Sequence, residues 1–299
     1  MKNNRGLVTG SHRSGSTWVG RVLERNSKVD IITEPYNLNT IKKFNRISYD
    51  YWYPMIHDES TAGHKELSDL MQYYLRTNSF TFLQQLFESY EGLDLYNSMK
   101  KRLRRTLRPF KLVKDPMAIF STPWLETTFN LRPLVLIRHP AAFALSIKEK
   151  DWWFDFDNIL NQEVFFQGPL NHLKDEVLEF KKHDQDRTII ENAALFWKVC
   201  YTQVRYYQEQ HPSWHYISHE ALSLEPLIEF ERVFQYFNLE FTSEVEAYII
   251  QSSQADKPEF LKRNSLQNML KWQNNLSKFE KEIIYRVTRE VADSYYDPF

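Results

Sequence analysis

The sequence predicts an α/β protein: a central parallel sheet flanked by helices in three layers, with a helical insertion. Three observations support this. Short apolar runs alternate with amphipathic, helix-like segments along the chain. The most strand-like run, Leu134-Val135-Leu136-Ile137, is continuously apolar, as suits a parallel strand buried on both faces. Finally, no repeat, low-complexity tract or linker breaks the 299 residues, so residues 1–299 read as one domain near the upper size for a single core.

The first strand, around Leu7-Val8-Thr9, runs into Gly10-Ser11-His12-Arg13-Ser14-Gly15-Ser16-Thr17 and then into an amphipathic segment holding Trp18, Val19, Val22 and Leu23. Strand, small-residue loop and helix start form a recipe for holding phosphate: loop amides point inward and the helix N-terminus adds partial positive charge. The glycine spacing is that of the phosphate loop G-x-x-x-x-G-K-[ST], but Ser16 stands where a nucleotide triphosphatase has lysine. Arg13 is the nearest cation. An ordinary Gly/Ser turn is the alternative.

Residues 29–32 read as a second strand, ending at Thr33-Glu34-Pro35-Tyr36. Ligand crevices of open α/β sheets lie beyond the carboxyl ends of the strands, which puts Glu34 near the loop. A carboxylate there can take a proton from an attacking nucleophile; a helix-capping or surface glutamate is the alternative.

Residues 37–110 read as the insertion, on the acceptor side. Tyr49, Tyr51, Trp52 and Tyr53 precede Pro54, suggesting a loop of exposed or half-buried rings that line a pocket or pack into the core. Residues 67–86 have helical periodicity. Lys100, Lys101, Arg102, Arg104, Arg105 and Arg108 form a basic run, read as a solvated helix face or a landing strip for an anion.

Lys111-Leu112-Val113-Lys114 is a third strand closed by Asp115-Pro116, with Lys114 at its carboxyl end. The fourth strand, 134–137, ends at Arg138-His139-Pro140, followed by a helix over 141–150 containing Ser146. An arginine at the tip of a buried strand is costly unless an anion meets it, making Arg138 a second anion point. Residues 189–210 read as a long helix, 214–218 as a fifth strand, and 227–237 and 245–250 as helices. Lys262-Arg263-Asn264 falls in a polar loop. Ser277 caps a last helix, with Glu280 completing a capping box.

Composition narrows the partners. A formal net charge of -1 gives no general push toward nucleic acid. No apolar run approaches the roughly 20 residues of a transmembrane helix, and the first strand starts too early for a signal peptide. Cys200 is the one cysteine. It rules out intrachain disulfides and a zinc–cysteine cluster, fits a cytoplasmic setting, and sits in an aromatic helical stretch as buried filler.

Together these residues resemble the sulfotransferase family, whose members use 3'-phosphoadenosine-5'-phosphosulfate (PAPS). The resemblance covers most of the chain, least so residues 37–110. Ser11-His12-Arg13-Ser14-Gly15-Ser16-Thr17-Trp18 is similar to the family's 5'-phosphosulfate loop, and Arg138-His139-Pro140 with Ser146 to its 3'-phosphate site. The resemblance implies a P-loop-like fold. It also implies that Arg13, Ser14, Gly15, Ser16 and Thr17 hold the 5' end, that Arg138 and Ser146 hold the 3'-phosphate, and that Trp18 stacks on adenine. Lys262, Arg263 and Asn264 would cover the 3'-phosphate, and Lys114 would reach the sulfuryl group.

Two departures stand out. Arg13 replaces the lysine usual in cytosolic members acting on small phenols, and looks more like the carbohydrate-directed branch and its bacterial relatives. Pro116 occupies the place of those members' histidine base. Glu34, within a Glu-Pro element similar to that of carbohydrate-directed members, is the candidate base. The resemblance thus implies sulfuryl transfer from PAPS, without a metal, to a hydroxyl or amine of an acceptor, leaving adenosine 3',5'-bisphosphate. The catalytic candidates are Glu34, Arg13 and Lys114. The acceptor would be a small molecule or carbohydrate, with an anionic one left open. Two other readings are a P-loop small-molecule kinase, which lacks its lysine at Ser16, and a nucleotide-binding module without turnover.

Overall fold

A computed structural model describes residues 4–41, 49–75, 108–259 and 262–299. All five expected sheet strands form: β1 (Arg5–Gly10), β2 (Val29–Thr33), β3 (Phe110–Lys114), β4 (Arg132–Ile137) and β5 (His215–Ser218). They make one sheet in the order β2-β3-β1-β4-β5, parallel throughout. β1 is central, and the strand order reverses there. Chain order therefore puts the loops after β1 and β4 side by side, at the switch point where such sheets bind ligands.

The strand side chains alternate between two apolar layers, as strand geometry requires. Leu7, Val113, Val135 and Ile137 enter one layer, with Phe143, Trp197, Cys200 and Tyr201 from the helices Pro140–Lys148 and Ile189–Gln210. Val8, Leu112, Leu134 and Leu136 enter the other, with Val19, Val22 and Leu23 from the helix Ser16–Glu24 and Phe230, Val233 and Phe234 from the helix Pro226–Tyr236. Helices on both faces give the three layers. Capping boxes start two of them, Thr188 with Glu191 and Ser277 with Glu280, each satisfying otherwise orphaned helix N–H groups.

Within the insertion, residues 76–86 of the expected helix lie outside the described residues. The insertion's described helices are the short Leu38–Ile41 and His64–Leu75, the second starting earlier than the periodicity indicated. Tyr49 and Tyr53 are buried, so these rings belong to the core, while Tyr51 and Trp52 pack partly buried against it. Most of the basic run, 100–107, lies outside the described residues. Its last member, Arg108, donates to the Val29 carbonyl at 2.5 Å and so ties down β2. Lys262-Arg263-Asn264 is not a loop but a strand, β7 (Lys262–Asn264), antiparallel to β6 (Gln254–Glu259). Such a polar pair carries none of the apolar alternation that marks a strand in sequence. Among the described residues no helix is long and apolar enough to cross a membrane.

Candidate functional site

The loop after β1 is bent by its glycines. Gly10 has φ 144° and pairs in register with Leu136; a Cβ there would stand 2.5 Å from the Leu136 carbonyl oxygen. Gly15, at φ 100°, precedes the helix Ser16–Glu24, and its Cβ would stand 2.6 Å from His219. Only glycine fits both the conformation and the space. Within the loop, Ser14 N–H donates to the Ser11 carbonyl at 3.2 Å, and the Ser11 and Tyr201 hydroxyls meet at 2.9 Å. No side chain caps the helix that follows, so its first N–H groups keep their affinity for an anion. The buried Ser14 Oγ also has no hydrogen-bond partner.

Arg138 arrives from the end of β4. It is 8% exposed and donates to the Arg13 carbonyl, while its Nε is buried without a partner. Burial pushes the Arg138 guanidinium down from its ordinary value; Glu220 opposes the shift and the nearby Arg13 charge adds to it. Arg13, itself in the left-handed region at φ 64°, donates from Nε to Ser146 Oγ at 2.8 Å. Two guanidiniums thus converge on one uncapped helix start, with a buried hydroxyl and a buried N–H unmatched. Such groups cost free energy until an anion meets them.

A second group gathers at the ends of β2 and β3. Lys114 Nζ forms an ion pair with Glu34 Oε1; the lysine side chain is 4% exposed and the glutamate 30%. Glu34 has φ 48°, a conformation that persists in a non-glycine residue only when its surroundings over-determine it. They do: its N–H donates to the Lys114 carbonyl at 2.8 Å, and Asn37 Nδ2 donates to its Oε2 at 3.2 Å. Asp115, fully buried, accepts the Tyr36 N–H at 2.7 Å and the Met117 N–H at 2.9 Å. Burial pushes its carboxyl up to about 7, and the Glu34 charge adds to the shift.

Two cavities meet at the loop. One of about 770 Å³ is lined by Arg13, Glu34 and a set of aromatic rings. The other, about 280 Å³, is lined by Arg13, Trp18, Arg138 and Ser252. Arg13, Ser16 and Thr17 line both. Trp18 is held at the smaller cavity by its indole N–H, which donates to Ser252 Oγ at 3.0 Å, and by an edge-to-face contact with Phe230. Among the described residues no group of three or more His, Cys, Asp or Glu is placed to hold a metal ion.

No protein-family model and no curated protein matches the sequence. Solved structures do match. The sulfotransferase domain from the curacin biosynthetic pathway superposes at a TM-score of 0.54 with 18% identity, covering 98% of this chain and 99% of that one. The sulfotransferase domain of the Synechococcus PCC 7002 olefin synthase superposes at 0.55 with 14% identity, covering 99% and 97%. The fold is that of a sulfotransferase domain.

Within this sulfotransferase fold, Arg13, Ser14, Gly15, Ser16, Thr17, Trp18, Arg138 and Ser146 come together around the loop after β1. Glu34 and Lys114 pair on the other side of Arg13. Lys262, Arg263 and Asn264 sit in β7, directly before the helix Ser265–Asn275, whose Ser265 and Asn268 line the smaller cavity. Sequence reasoning missed Asp115, visible only as one half of an Asp-Pro turn. It also missed His12, whose Nδ1 contacts the Tyr53 hydroxyl inside a cage formed with Phe143, Trp152 and Phe196. Desolvation lowers the His12 imidazole to about 3, with Arg13 adding to the shift, so it is neutral. The rings around His12 and the Tyr36 N–H bound by Asp115 lie far away in sequence, so no local pattern marks these contacts.

Proposed function

We propose that this chain is a single-domain sulfotransferase, moving a sulfuryl group from PAPS to an acceptor hydroxyl or amine by in-line displacement. The observation that carries the reading is the meeting of Arg13 and Arg138 at the uncapped start of the first helix, where Ser14 Oγ and Arg138 Nε are buried without partners. Those unmatched groups suit a ligand with anionic groups on both sides of Arg13. Arg13, Ser14, Gly15, Ser16 and Thr17 would hold its 5' end, and Arg138 and Ser146 its 3'-phosphate. Trp18 would face adenine, and Lys262, Arg263 and Asn264 would close over the 3' side.

The bound donor supplies the sulfuryl group, which passes to the acceptor oxygen as the bond to the bridging phosphate oxygen breaks. The remaining work is positioning and charge stabilisation. Glu34 lines the larger cavity and accepts the proton of the acceptor hydroxyl. Lys114 holds the Glu34 carboxylate in place and, with Arg13 and the loop amides, balances charge at the transferred group. No role in this set calls for a divalent metal. The acceptor class implied by the sequence resemblance is a carbohydrate or glycoconjugate, and the sole, buried Cys200 suits a reducing cytoplasm.

A thermal-shift titration tests the reading, comparing adenosine 3',5'-bisphosphate with adenosine 5'-phosphate and with ATP plus magnesium. Ligand at about 100 times its Kd adds about 2.7 kcal/mol of stability. Selective stabilisation by the bisphosphate is expected. Stabilisation by ATP and magnesium alone would replace this reading with that of a P-loop kinase.

A further inference from the structure

The larger cavity is built by segments distant in sequence. Trp52 and Tyr53 form one wall, Trp152, Trp153 and Phe154 another, and Phe196 of the helix Ile189–Gln210 the floor. At its mouth the Trp152 and Trp153 rings are 46% and 42% exposed. Four asparagines also line it, Asn37, Asn39, Asn158 and Asn192, together with the carboxylates of Asp50 and Asp155, and in three of the four both ends of the amide are engaged by the protein itself. Asn192 accepts the Phe154 N–H at 3.0 Å and donates to the Phe154 carbonyl at 2.9 Å. Asn158 accepts the Trp52 N–H at 2.9 Å and donates to the Asp155 carbonyl at 2.9 Å. Asn37 accepts the Asn39 N–H at 3.0 Å and donates to Glu34. The Tyr53 hydroxyl is taken by His12. Asn158, Asn192 and the Tyr53 hydroxyl thus fix the aromatic walls in place, and ring surface makes up most of what the cavity offers a ligand beyond Glu34.

We infer that the acceptor presents its hydroxyl to Glu34 on an apolar, ring- or chain-bearing body, such as a phenol or a long-chain alcohol, and that a free sugar is a poor fit. The inference rests on the sulfotransferase reading and narrows its acceptor class. A free sugar carries a hydroxyl on most of its carbons, and each one brought against ring surface loses water without gaining a partner. An aryl or alkyl body loses only ordered water and gains ring contacts. A glycoconjugate enters on this reading through its apolar portion.

Calorimetric titration of the full chain, saturated with adenosine 3',5'-bisphosphate, tests the inference with 2-naphthol and 1-octanol against glucose and N-acetylglucosamine. Both alcohols are expected to bind at least about tenfold tighter than either sugar. Trp153→Ala, a change at a half-exposed ring, should weaken 2-naphthol about tenfold and leave bisphosphate affinity unchanged. Sugar binding as tight as that of the alcohols, or no heat from either alcohol, overturns the acceptor inference while bisphosphate binding stands. Absence of bisphosphate binding is the separate failure of the donor reading, and the alcohols titrated without nucleotide still report the cavity's preference.

Discussion

Arg13 Nε donates to Ser146 Oγ at 2.8 Å, joining two motifs that lie 133 residues apart. Arg138 closes the same junction by donating to the Arg13 carbonyl. The loop after β1 and the helix after β4 are thus joined into one hydrogen-bonded unit.

Arg138→Ala should weaken adenosine 3',5'-bisphosphate binding by about tenfold to hundredfold, the range for losing a charge-assisted hydrogen bond. Ser146→Ala should weaken it less, since it removes a hydroxyl and leaves both guanidiniums. Calorimetry with the bisphosphate measures both, and unchanged affinity in Arg138→Ala would remove the 3'-phosphate assignment.

Glu34→Gln should cut turnover by about 10²- to 10⁴-fold, the usual weight of a general base. Bisphosphate affinity should hold, because Glu34 faces the larger cavity and Arg138 the smaller. Single-turnover rates at saturating donor separate the two effects; an unchanged rate would show that Glu34 is not the base.

Acid should destabilise the fold through its buried imidazoles. His219 is lowered to about 3 and His139 to about 4, in each case by burial first and Arg138 second. Unfolded, both titrate near 6.5. Between pH 6.5 and 4 the unfolded chain therefore binds more protons at these sites, and stability is lost as the pH drops. Asp115 opposes them: its folded value near 7 lies above the unfolded 3.8, so in this window the folded state binds the extra proton. Asp115→Asn removes that opposition. It should steepen the acid loss by up to about 1.4 kcal/mol per pH unit, read from urea midpoints at pH 6.5, 5.5 and 4.5. An unchanged slope would mean that Asp115 is ionised throughout.

Gly10→Ala and Gly168→Ala should separate crowding from backbone strain. Gly168 has φ 65° with open space around it, so alanine there costs about 1 kcal/mol. At Gly10 the same methyl meets the Leu136 carbonyl at 2.5 Å, and overpacking adds about 1–3 kcal/mol more. Equal denaturation midpoints for the two variants would contradict the close approach of β1 and β4.

The sheet was legible because its strands are buried: β3 and the apolar part of β4 carry no exposed position to dilute the pattern. Arg13, Arg138, Glu34 and Lys114 could be picked out because parallel sheets bind ligands at strand ends, and each of them follows or closes a strand. The aromatic cavity was legible only in part, through Trp52 and Tyr53. Its walls join residues 52–53, 152–154 and 196, and helical or strand periodicity says nothing about contacts across such separations. Asp115 was hidden for the same reason, since its bond to the Tyr36 N–H spans 79 residues.

Arg13, Ser16 and Thr17 face both cavities. On the proposed reading the two substrates lean on a common partition and must be present together for reaction. Initial rates should then follow a sequential, ternary-complex law, with intersecting rather than parallel double-reciprocal lines. On that reading cargo would cross the partition in one hop, with no covalent stopover on the chain.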